Sequence, residues 1–513
     1  MTATPFVPTT PGFAARAIAG KALVAVATAL LLYAAWRVYL IGQPLFGAMF
    51  LLVAVGFFLL FGFRRFYFGR FIFPGIATMA LFIVFPIVYT IYLGFTNYSS
   101  FNLLSFPRAQ EILLDQKIVD PASSLPFALA QDPDGYRLVL ETPEGSFVSD
   151  PVALDGSAVT VAAAPAQAPA TLVDRREAVK LRKPLAEIAV TLPDGTELRA
   201  AGLRDFAKVR PEYVLGEGDT LVHVETGAVL TPDHDAGFYR DEAGKQVPPG
   251  WRANIGLANF KRIFTSEGIR GPVVSIFVWT VAFAAFTVLF TFAIGLTLAT
   301  LLQWEHLRFK AIYRVLLILP YAVPAFISIL VFRGLFNQNF GEINMILEAL
   351  FGIRPDWMTD GALARAMLLI VNTWLGYPYI MLLAMGFLQS VPEEQKRAAY
   401  LEGAGPVRVF FTITLPQILP PFLPLLLASF AFNFNNIVLI LLLTRGGPDI
   451  PGTAIPAGET DILGSFTYRV AFQDSGTQFG LAGAITLIIF VLVSAIAYAN
   501  FVAMRRAAKG VHG

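Results

Sequence analysis

Long apolar stretches, separated by polar segments, recur along this chain. A helix needs about 20 mostly apolar residues to cross a bilayer. Eight stretches satisfy this requirement, at about 18–40, 44–63, 71–95, 273–302, 312–336, 364–389, 417–444 and 479–504. The pattern therefore predicts an α-helical polytopic membrane protein with about eight transmembrane helices.

A different pattern covers residues 96–272, between the third and fourth apolar stretches. The runs at 136–142, 187–198 and 219–227 alternate apolar and polar residues, with Pro-Asp-Gly, Asp-Gly and Thr-Gly turn signals nearby. Such alternation is typical of antiparallel strands and hairpins. We therefore expect an inserted, mostly-β domain of about 170 residues, a normal size for one domain. The Ala- and Pro-rich stretch at 162–170 indicates a flexible linker inside it.

The predicted domains are thus 1–95, with an N-terminal tail and three helices; 96–272, the β insert; and 273–513, with five helices. Cytoplasmic loops of membrane proteins carry an excess of lysine and arginine. One side of the predicted topology collects Arg16, Lys21, Arg64, Arg65, Arg70, Arg308, Lys310, Arg314, Lys396, Arg397, Arg408, Arg505, Arg506 and Lys509. We therefore expect both termini and the loop at 391–416 to be cytoplasmic, and the insert to lie on the outer side. Arg333 and Arg365 lie at span ends, where snorkelling explains them simply.

Composition removes several classes of function. Of the 513 residues only 14% are charged, against about 25% in a typical soluble domain, so most of the chain belongs in lipid. The net charge of +2 gives no reason to expect a nucleic-acid partner. The absence of cysteine excludes disulfides, thiolate catalysis and Fe–S clusters. Four histidines without a His-x-x-x-His pair predict no metal site.

The energy source must come from another chain. A P-loop requires G-x-x-x-x-G-K-[ST], and the two Gly-Lys pairs, at 20–21 and 244–245, lack the rest of that motif. The eight predicted spans contain no acidic residue and no histidine. Ion-coupled transporters usually place such residues inside their spans, which argues against that class.

A short polar helix is predicted in the loop at 391–416. Pro392 suits its first position, Glu393 and Glu394 suit its positive N-terminal end, and glycines at 403 and 405 end it. The segment resembles the "EAA" loop of ABC importer permeases, E-A-A-x3-G-x9-I-x-L-P. The matching residues are Ala398, Ala399, Gly403, Ile413, Leu415 and Pro416, whereas Arg397 replaces the family's glutamate. The resemblance implies docking into an ATPase subunit, with Glu394 as an alternative acidic group.

Two polar stripes on neighbouring spans form the candidate substrate site. Helical spacing of i, i+3, i+4, i+7 places four residues of the sixth span on one face and repeats in the seventh. These residues are Asn372, Leu375, Gly376 and Tyr379, and Ser429, Phe432, Asn433 and Asn436. Amides offer donors and acceptors to hydroxyls, and aromatic rings stack on the C–H face of a pyranose. The alternative is that the amides are interhelical glue and Gly376 a packing notch. Asn435 lies off the stripe and is expected to be structural.

Longer blocks extend the resemblance to about half of the chain. They include YRVLLILPYAVPAFISIL at 313–330, VNTWLGYPY at 371–379, ASFAFNFNN at 428–436 and LLTRGGPD at 442–449. They resemble the MalF-type inner-membrane permeases of maltose/maltodextrin ABC importers, and the eight stripe residues match that family's sugar contacts.

The resemblance implies a non-enzymatic transport subunit without a cofactor of its own. It further implies a second permease subunit (MalG-type), an ATPase homodimer (MalK-type) that uses ATP and Mg, and a periplasmic maltose-binding protein. The substrate would be maltose or maltodextrin, or another oligosaccharide or glucoside, and the large domain would be periplasmic. A membrane protein that transports nothing, and binds partners through its outer domain, is the remaining alternative.

Overall fold

The computed structural model describes residues 11–142, 145–167, 172–202, 204–304, 306–473 and 477–510. The chain divides into two compact units. Residues 101–253 form one unit, which is rich in β-structure, and the flanking parts of the chain form the other, which is helical. The β unit is therefore shorter than the insert expected at 96–272. Residues after 253 belong to the helical unit because helix Ala258–Thr265 packs there.

Six helices in the described ranges are long and apolar enough to cross a membrane. They are Ile18–Leu40 (part of helix Pro11–Leu40), Pro44–Gly62, Gly69–Gly94, Glu267–Gln303, Gly361–Gln389 and Pro406–Phe434. The eighth predicted span lies in helix Phe479–Gly510, whose apolar described stretch is Phe479–Ala495. The other α-helices that lie outside the predicted spans are Phe106–Leu114, Arg175–Lys180, Arg182–Leu185, Ala258–Thr265, Glu342–Phe351, Glu393–Leu401 and Leu463–Phe472.

The fifth and seventh predicted spans differ from uniform helices. The fifth consists of Lys310–Ala322 and Ala325–Leu335, bent by 92° at the break. Val323 is extended and ends the first of these helices, because proline disfavours helical geometry in the residue before it, and Pro324 is the N-cap of the second. The seventh begins at Pro406 and ends at Phe434, and Ile437–Leu443 is a separate short helix. The predicted bounds of 417–444 are therefore wrong at both ends.

Two proline-containing spans widen by one π-helical turn just before a proline. The π segment Ala80–Val84 precedes Pro86, and the π segment Phe410–Thr414 precedes Pro416. Proline clashes with the carbonyl four residues earlier in an α-helix. In both spans that residue lies inside the π segment, so the wider turn accommodates the ring and the helix continues.

Close helix packing in the helical unit depends on glycine. A Cβ on Gly295 of helix 267–303 would lie 2.9 Å from the Met381 nitrogen of helix 361–389. A Cβ on Gly94 would lie 3.1 Å from the Ala484 nitrogen, across from helix 479–510. Small residues let backbones approach closely in membrane proteins, where packing rather than the hydrophobic effect drives helix association.

The β unit contains a closed barrel and a smaller sheet. Strands β1 to β14 are Lys117–Val119, Leu125–Asp132, Gly135–Thr142, Gly145–Ser149, Val159–Pro165, Ile188–Thr191, Glu197–Ala200, Asp205–Ala207, Val209–Pro211, Tyr213–Leu215, Leu221–His223, Val229–Asp233, Phe238–Arg240 and Gln246–Val247. Strands β2–β8 close the barrel, all antiparallel except the β5–β6 pair, and β10–β14 form a meander. Leu138, Leu140, Val190 and Phe206 fill the barrel core. Full closure leaves no exposed sheet edge.

The mostly-β insert is confirmed, and the predicted strand runs coincide with β3, β6–β7 and β11. The linker predicted at 162–170 is wrong over 162–165. These residues belong to β5, where Val161 and Ala163 point into the barrel and neighbouring residues point out. Alternate residues of this Ala- and Pro-rich stretch face the barrel core, as the two-residue period of a strand requires. The composition of the stretch nevertheless resembles that of a linker. Residues 168–170 lie outside the described ranges.

Candidate functional site

The two predicted stripes meet at a pair of buried amides. The Nδ2 group of Asn372, on helix 361–389, donates to Oδ1 of Asn433, on helix 406–434, at 2.8 Å. Its second hydrogen is directed to Oγ1 of Thr287 at 3.2 Å, and Asn433 Nδ2 donates to the Ser429 carbonyl at 2.8 Å. Both asparagines are 5% exposed. The fold therefore joins three helices at this point through a hydrogen-bonded amide cluster.

Gly376 and Leu375 have packing roles in this arrangement. A Cβ on Gly376 would lie 2.8 Å from Cγ2 of Thr291, so the position admits only glycine without a shift of its neighbour. Leu375 packs against the cluster that includes Trp279 and Phe283. These contacts agree with the packing alternative for the sixth-span stripe.

The aromatic members of the stripes are accessible. Phe432 is 69% exposed and Tyr379 is 41% exposed. Ser429 and Asn436 are half-buried, and Asn436 caps helix Ile437–Leu443. Asn435 is exposed and its Nδ2 donates to the Ala431 carbonyl, so it lies apart from the amide cluster as expected. The stripes thus combine a closed polar centre with open aromatic surface.

An apolar groove of about 510 Å³ lies on another face of helix 361–389 and was not predicted. Its lining consists of Phe290, Ile294, Ala366, Leu369, Ile370, Thr373, Trp374 and Tyr377. None of the eight stripe residues contributes to it. The sequence indicates this groove only through the i, i+3, i+4, i+7 spacing of apolar residues and a threonine from 366 to 373. An ordinary lipid-facing stripe has the same spacing, so the groove could not be predicted from it.

The polar helix in the 391–416 loop is confirmed as Glu393–Leu401. Pro392 is its N-cap and not its first helical residue. Gly403 has φ +86°, and the amides of Gly403 and Ala404 donate to the carbonyls of Tyr400 and Ala399. A left-handed residue of this kind, which glycine adopts without strain, ends a helix by satisfying its last carbonyls.

The matched loop residues divide into an inner and an outer set. Ile413 and Leu415 pack against the core cluster that contains Met381 and Phe422. Glu394, Arg397, Ala398 and Pro416 are exposed and Ala399 is half-buried. In the described part of the chain Arg397 and Glu394 form no ion pair. Sequence reasoning missed Leu401, which is 90% exposed at the end of the helix.

One hydrogen bond connects this polar helix to the seventh span. Gln395 Oε1 accepts from Gln417 Nε2 at 2.7 Å. The same span begins at Pro406, inside the loop predicted at 391–416, and carries Asn433 near its other end. At about 1.5 Å per residue, Pro406 and the amide cluster are separated by roughly 40 Å along the seventh span.

Family models match both units of the chain. One described as "Binding-protein-dependent transport system inner membrane component" matches residues 291–506. Another, described as "Maltose transport system permease protein MalF P2 domain", matches residues 104–256. The first match includes both stripes and the polar loop, and the second matches the β unit closely.

Similar proteins extend over nearly the whole chain. The maltose/maltodextrin transport system permease protein MalF of Vibrio vulnificus (strain YJ016) is 49% identical over 486 residues, which cover 91% of each chain. The protein of the same name from Vibrio cholerae serotype O1 is 47% identical over 480 residues, again 91% of each chain. That of Escherichia coli (strain K12) is 46% identical over 477 residues, 91% of this chain and 93% of the other.

The helical unit is apolar and has an exposed polar loop between two of its spans, and the β domain is inserted in the chain before the second half of that unit. Together these features define a permease subunit of a binding-protein-dependent transporter. The family model that matches 291–506 describes such a subunit as an inner-membrane component of a transport system. Within that class, the chain belongs to the MalF family.

Proposed function

We propose that this chain is the membrane permease through which an ATP-driven importer carries maltose and maltodextrins across the bacterial inner membrane. The observation that carries the proposal is the identity of 46–49% to MalF proteins over 91% of the chain. Transport of another oligosaccharide or glucoside is the second candidate, because the exposed aromatics Phe432 and Tyr379 suit any pyranose.

The amide cluster supports a place for the sugar between the two stripes. Asn372 and Asn433 hold each other in this closed arrangement, and sugar entry exchanges their mutual hydrogen bond for bonds to sugar hydroxyls. An amide suits this exchange because it both donates and accepts. Ser429 and Asn436 add polar groups, Phe432 and Tyr379 offer ring faces for stacking, and Leu375 and Gly376 shape the wall.

The polar helix at 393–401 supports coupling to a partner ATPase. Its exposed Leu401 and Tyr400, with Val407 and Phe411 nearby in sequence, form apolar surface on an otherwise polar loop. Apolar surface of this kind is typical of protein interfaces. Motion of the docked helix passes to the seventh span through the Gln395–Gln417 hydrogen bond and the packing of Ile413 and Leu415, and so reaches Asn433.

The partners follow from what this chain lacks and from its family. A MalG-type second permease completes the pathway, two MalK-type ATPase copies use ATP and Mg, and a periplasmic maltose-binding protein delivers sugar. The termini and the 391–416 loop are cytoplasmic, as the lysine and arginine distribution indicates. The β unit, residues 101–253, is then periplasmic and meets the binding protein.

Sugar uptake in a strain that lacks its own MalF tests the proposal. Cells that express this chain should accumulate labelled maltose and maltotriose, and a Walker-motif variant of the ATPase should abolish uptake. Uptake of a different glucoside alone would favour the second candidate. Uptake by this chain alone in liposomes, driven by an ion gradient, would contradict the ATP-driven mechanism.

A further inference from the structure

The segment 444–462, which follows helix Ile437–Leu443, is held far more firmly than an ordinary loop. Arg469 donates to Asp461 Oδ2 at 2.7 Å and to Asp449 Oδ1 at 2.6 Å. Asp461 also accepts from the Gly458 amide and from Ser465 Oγ. Because the Asp461 side chain is fully buried, it needs these partners. Burial raises the pKa of the Asp461 carboxyl, and the Arg469 guanidinium opposes that rise.

Two glycines allow the segment to fold so tightly. Gly446 has φ +85°, and a Cβ there would overlap the Asp461 carboxylate. A Cβ on Gly458 would overlap the Gly446 carbonyl. The buried ion pair and these close approaches join segment 444–462 to helix Leu463–Phe472 as one rigid piece.

A second ion pair joins this piece to the helix that carries Asn372. Arg365 donates to the Glu459 carbonyl at 2.8 Å and to Glu459 Oε2 at 2.6 Å. Its guanidinium also lies 5.0 Å from the centre of the Trp279 ring. The simple snorkelling explanation for Arg365 is therefore wrong. Arg365 precedes Asn372 by seven residues, which is about two helical turns, so the two residues lie on the same face of the helix.

The two ion pairs differ in burial. The Arg469 and Asp461 side chains are 9% and 0% exposed, whereas those of Arg365 and Glu459 are 30% and 35% exposed. Water can replace a partner of the second pair at small cost, but it cannot do so for the first. The second pair is therefore the contact that can open while the rest of the segment stays folded.

We propose that segment 444–462 is an outer clasp, in which the Arg365–Glu459 pair holds the Asn372 helix beside the Asn433 helix until sugar enters. The clasp reaches the Asn433 helix through Ile437–Leu443, which begins three residues after Phe434. Arg365 and Glu459 are positioning residues: they act on the stripes through the helices and do not touch sugar. The inference rests on the proposed function, since it assigns a role in transport through the stripes.

The chain has no cysteine, so a disulfide can lock the clasp cleanly. A Cβ built on Gly361 would lie 3.2 Å from the Glu459 Cβ, close to the spacing of a disulfide. We expect the Gly361→Cys/Glu459→Cys complex, assembled in proteoliposomes with its partners, to lose sugar uptake at least tenfold on oxidation and to regain it with dithiothreitol. The single Glu459→Cys variant is the control and should not respond to oxidant.

A second variant tests the same clasp without a new bond. Glu459→Gln keeps the shape of the side chain and removes its charge. We expect it to raise ATP hydrolysis in the absence of binding protein at least threefold, with assembly unchanged, because a loosened clasp opens without its normal trigger. A merely structural contact would instead lower the yield of complex.

The outcomes separate this inference from the proposed function. Full transport by the cross-linked complex, or unchanged hydrolysis in the Glu459→Gln complex, would overturn the clasp while maltose uptake by the unaltered complex still stood. Failure of the unaltered complex to transport maltose would instead overturn the proposed function.

Discussion

Replacement of Asn433 by alanine distinguishes a sugar site from interhelical glue. The change removes the acceptor of the Asn372 hydrogen bond and the donor to the Ser429 carbonyl. Asn372 keeps its contact to Thr287 but has one buried N–H without a partner. Interhelical hydrogen bonds in membrane proteins are worth about 0.6 kcal/mol on average and about 1.7 kcal/mol at most. The complex should therefore assemble with slightly lowered thermal stability.

The effect on sugar should be larger than the effect on assembly. A lost polar contact that leaves a buried group unpaired costs about 1–3 kcal/mol, or roughly 5–150-fold in the population of the bound state. Uptake of labelled maltose by proteoliposomes should fall within that range. Sugar bound to the complex before translocation should fall with it, and basal ATP hydrolysis should not change, since the polar helix meets this span at Gln417, 16 residues or roughly 24 Å along the helix from Asn433.

A double-mutant cycle with Asn372→Ala sharpens the test. If the two amides only hold each other, the second substitution adds little to the first in both stability and transport. If each binds a different hydroxyl, their stability effects still couple, but the double variant loses more transport than either single variant. Asn435→Ala is the matched control, because it removes an exposed amide outside the cluster. Normal transport by Asn433→Ala, or losses that follow complex yield in every variant, would refute the sugar site.

Three further predictions test other parts of the structure. Gly403→Asp should abolish transport and stimulated ATP hydrolysis but keep the membrane fold, because the strain at φ +86° is confined to the polar loop, where open space surrounds the position. Wild-type transport by an assembled variant would contradict docking. Gly376→Val should lower the thermal stability of the complex by about 1–3 kcal/mol in a melting assay, because the new side chain overpacks against Thr291. Gly386→Val is the control, since that position faces open space on the same helix. Deletion of residues 105–250 should spare assembly, since the Arg252 amide bonds to the Leu104 carbonyl at 2.9 Å and brings the ends of the deletion together. Titration of the shortened complex with binding protein should show weaker binding. Unchanged affinity would mean that the β unit is only a stabilising cap.

Much of the fold was predictable from local rules. A run of about 20 apolar residues must be helical in lipid whatever surrounds it, so every predicted span contains helix. Period-two alternation and turn residues identified the β unit for the same reason. The polar helix at 393–401 was also predictable, because its boundaries are set by Pro392 and the left-handed Gly403 within one turn of each end.

Helical spacing also predicted two stripes, but it could not decide what their residues contact. Helical spacing puts Asn372 and Asn433 on defined faces of their own helices. Whether those faces meet depends on how the two helices are held by helix 267–303, which packs against both of them and carries Thr287 and Thr291, the contacts of Asn372 and Gly376.

Contacts between distant residues were decided only by the tertiary structure. The bend of 92° in the fifth span, the end of the seventh at Phe434 and the Arg365–Glu459 pair across 94 residues all depend on which neighbours satisfy freed backbone groups and buried charges. Local propensity acts over a few residues, whereas satisfaction of a buried polar group requires a partner from wherever the fold supplies one. The elements of this protein are therefore properties of its sequence, and the closed amide cluster and the Arg365–Glu459 ion pair are properties of its packing.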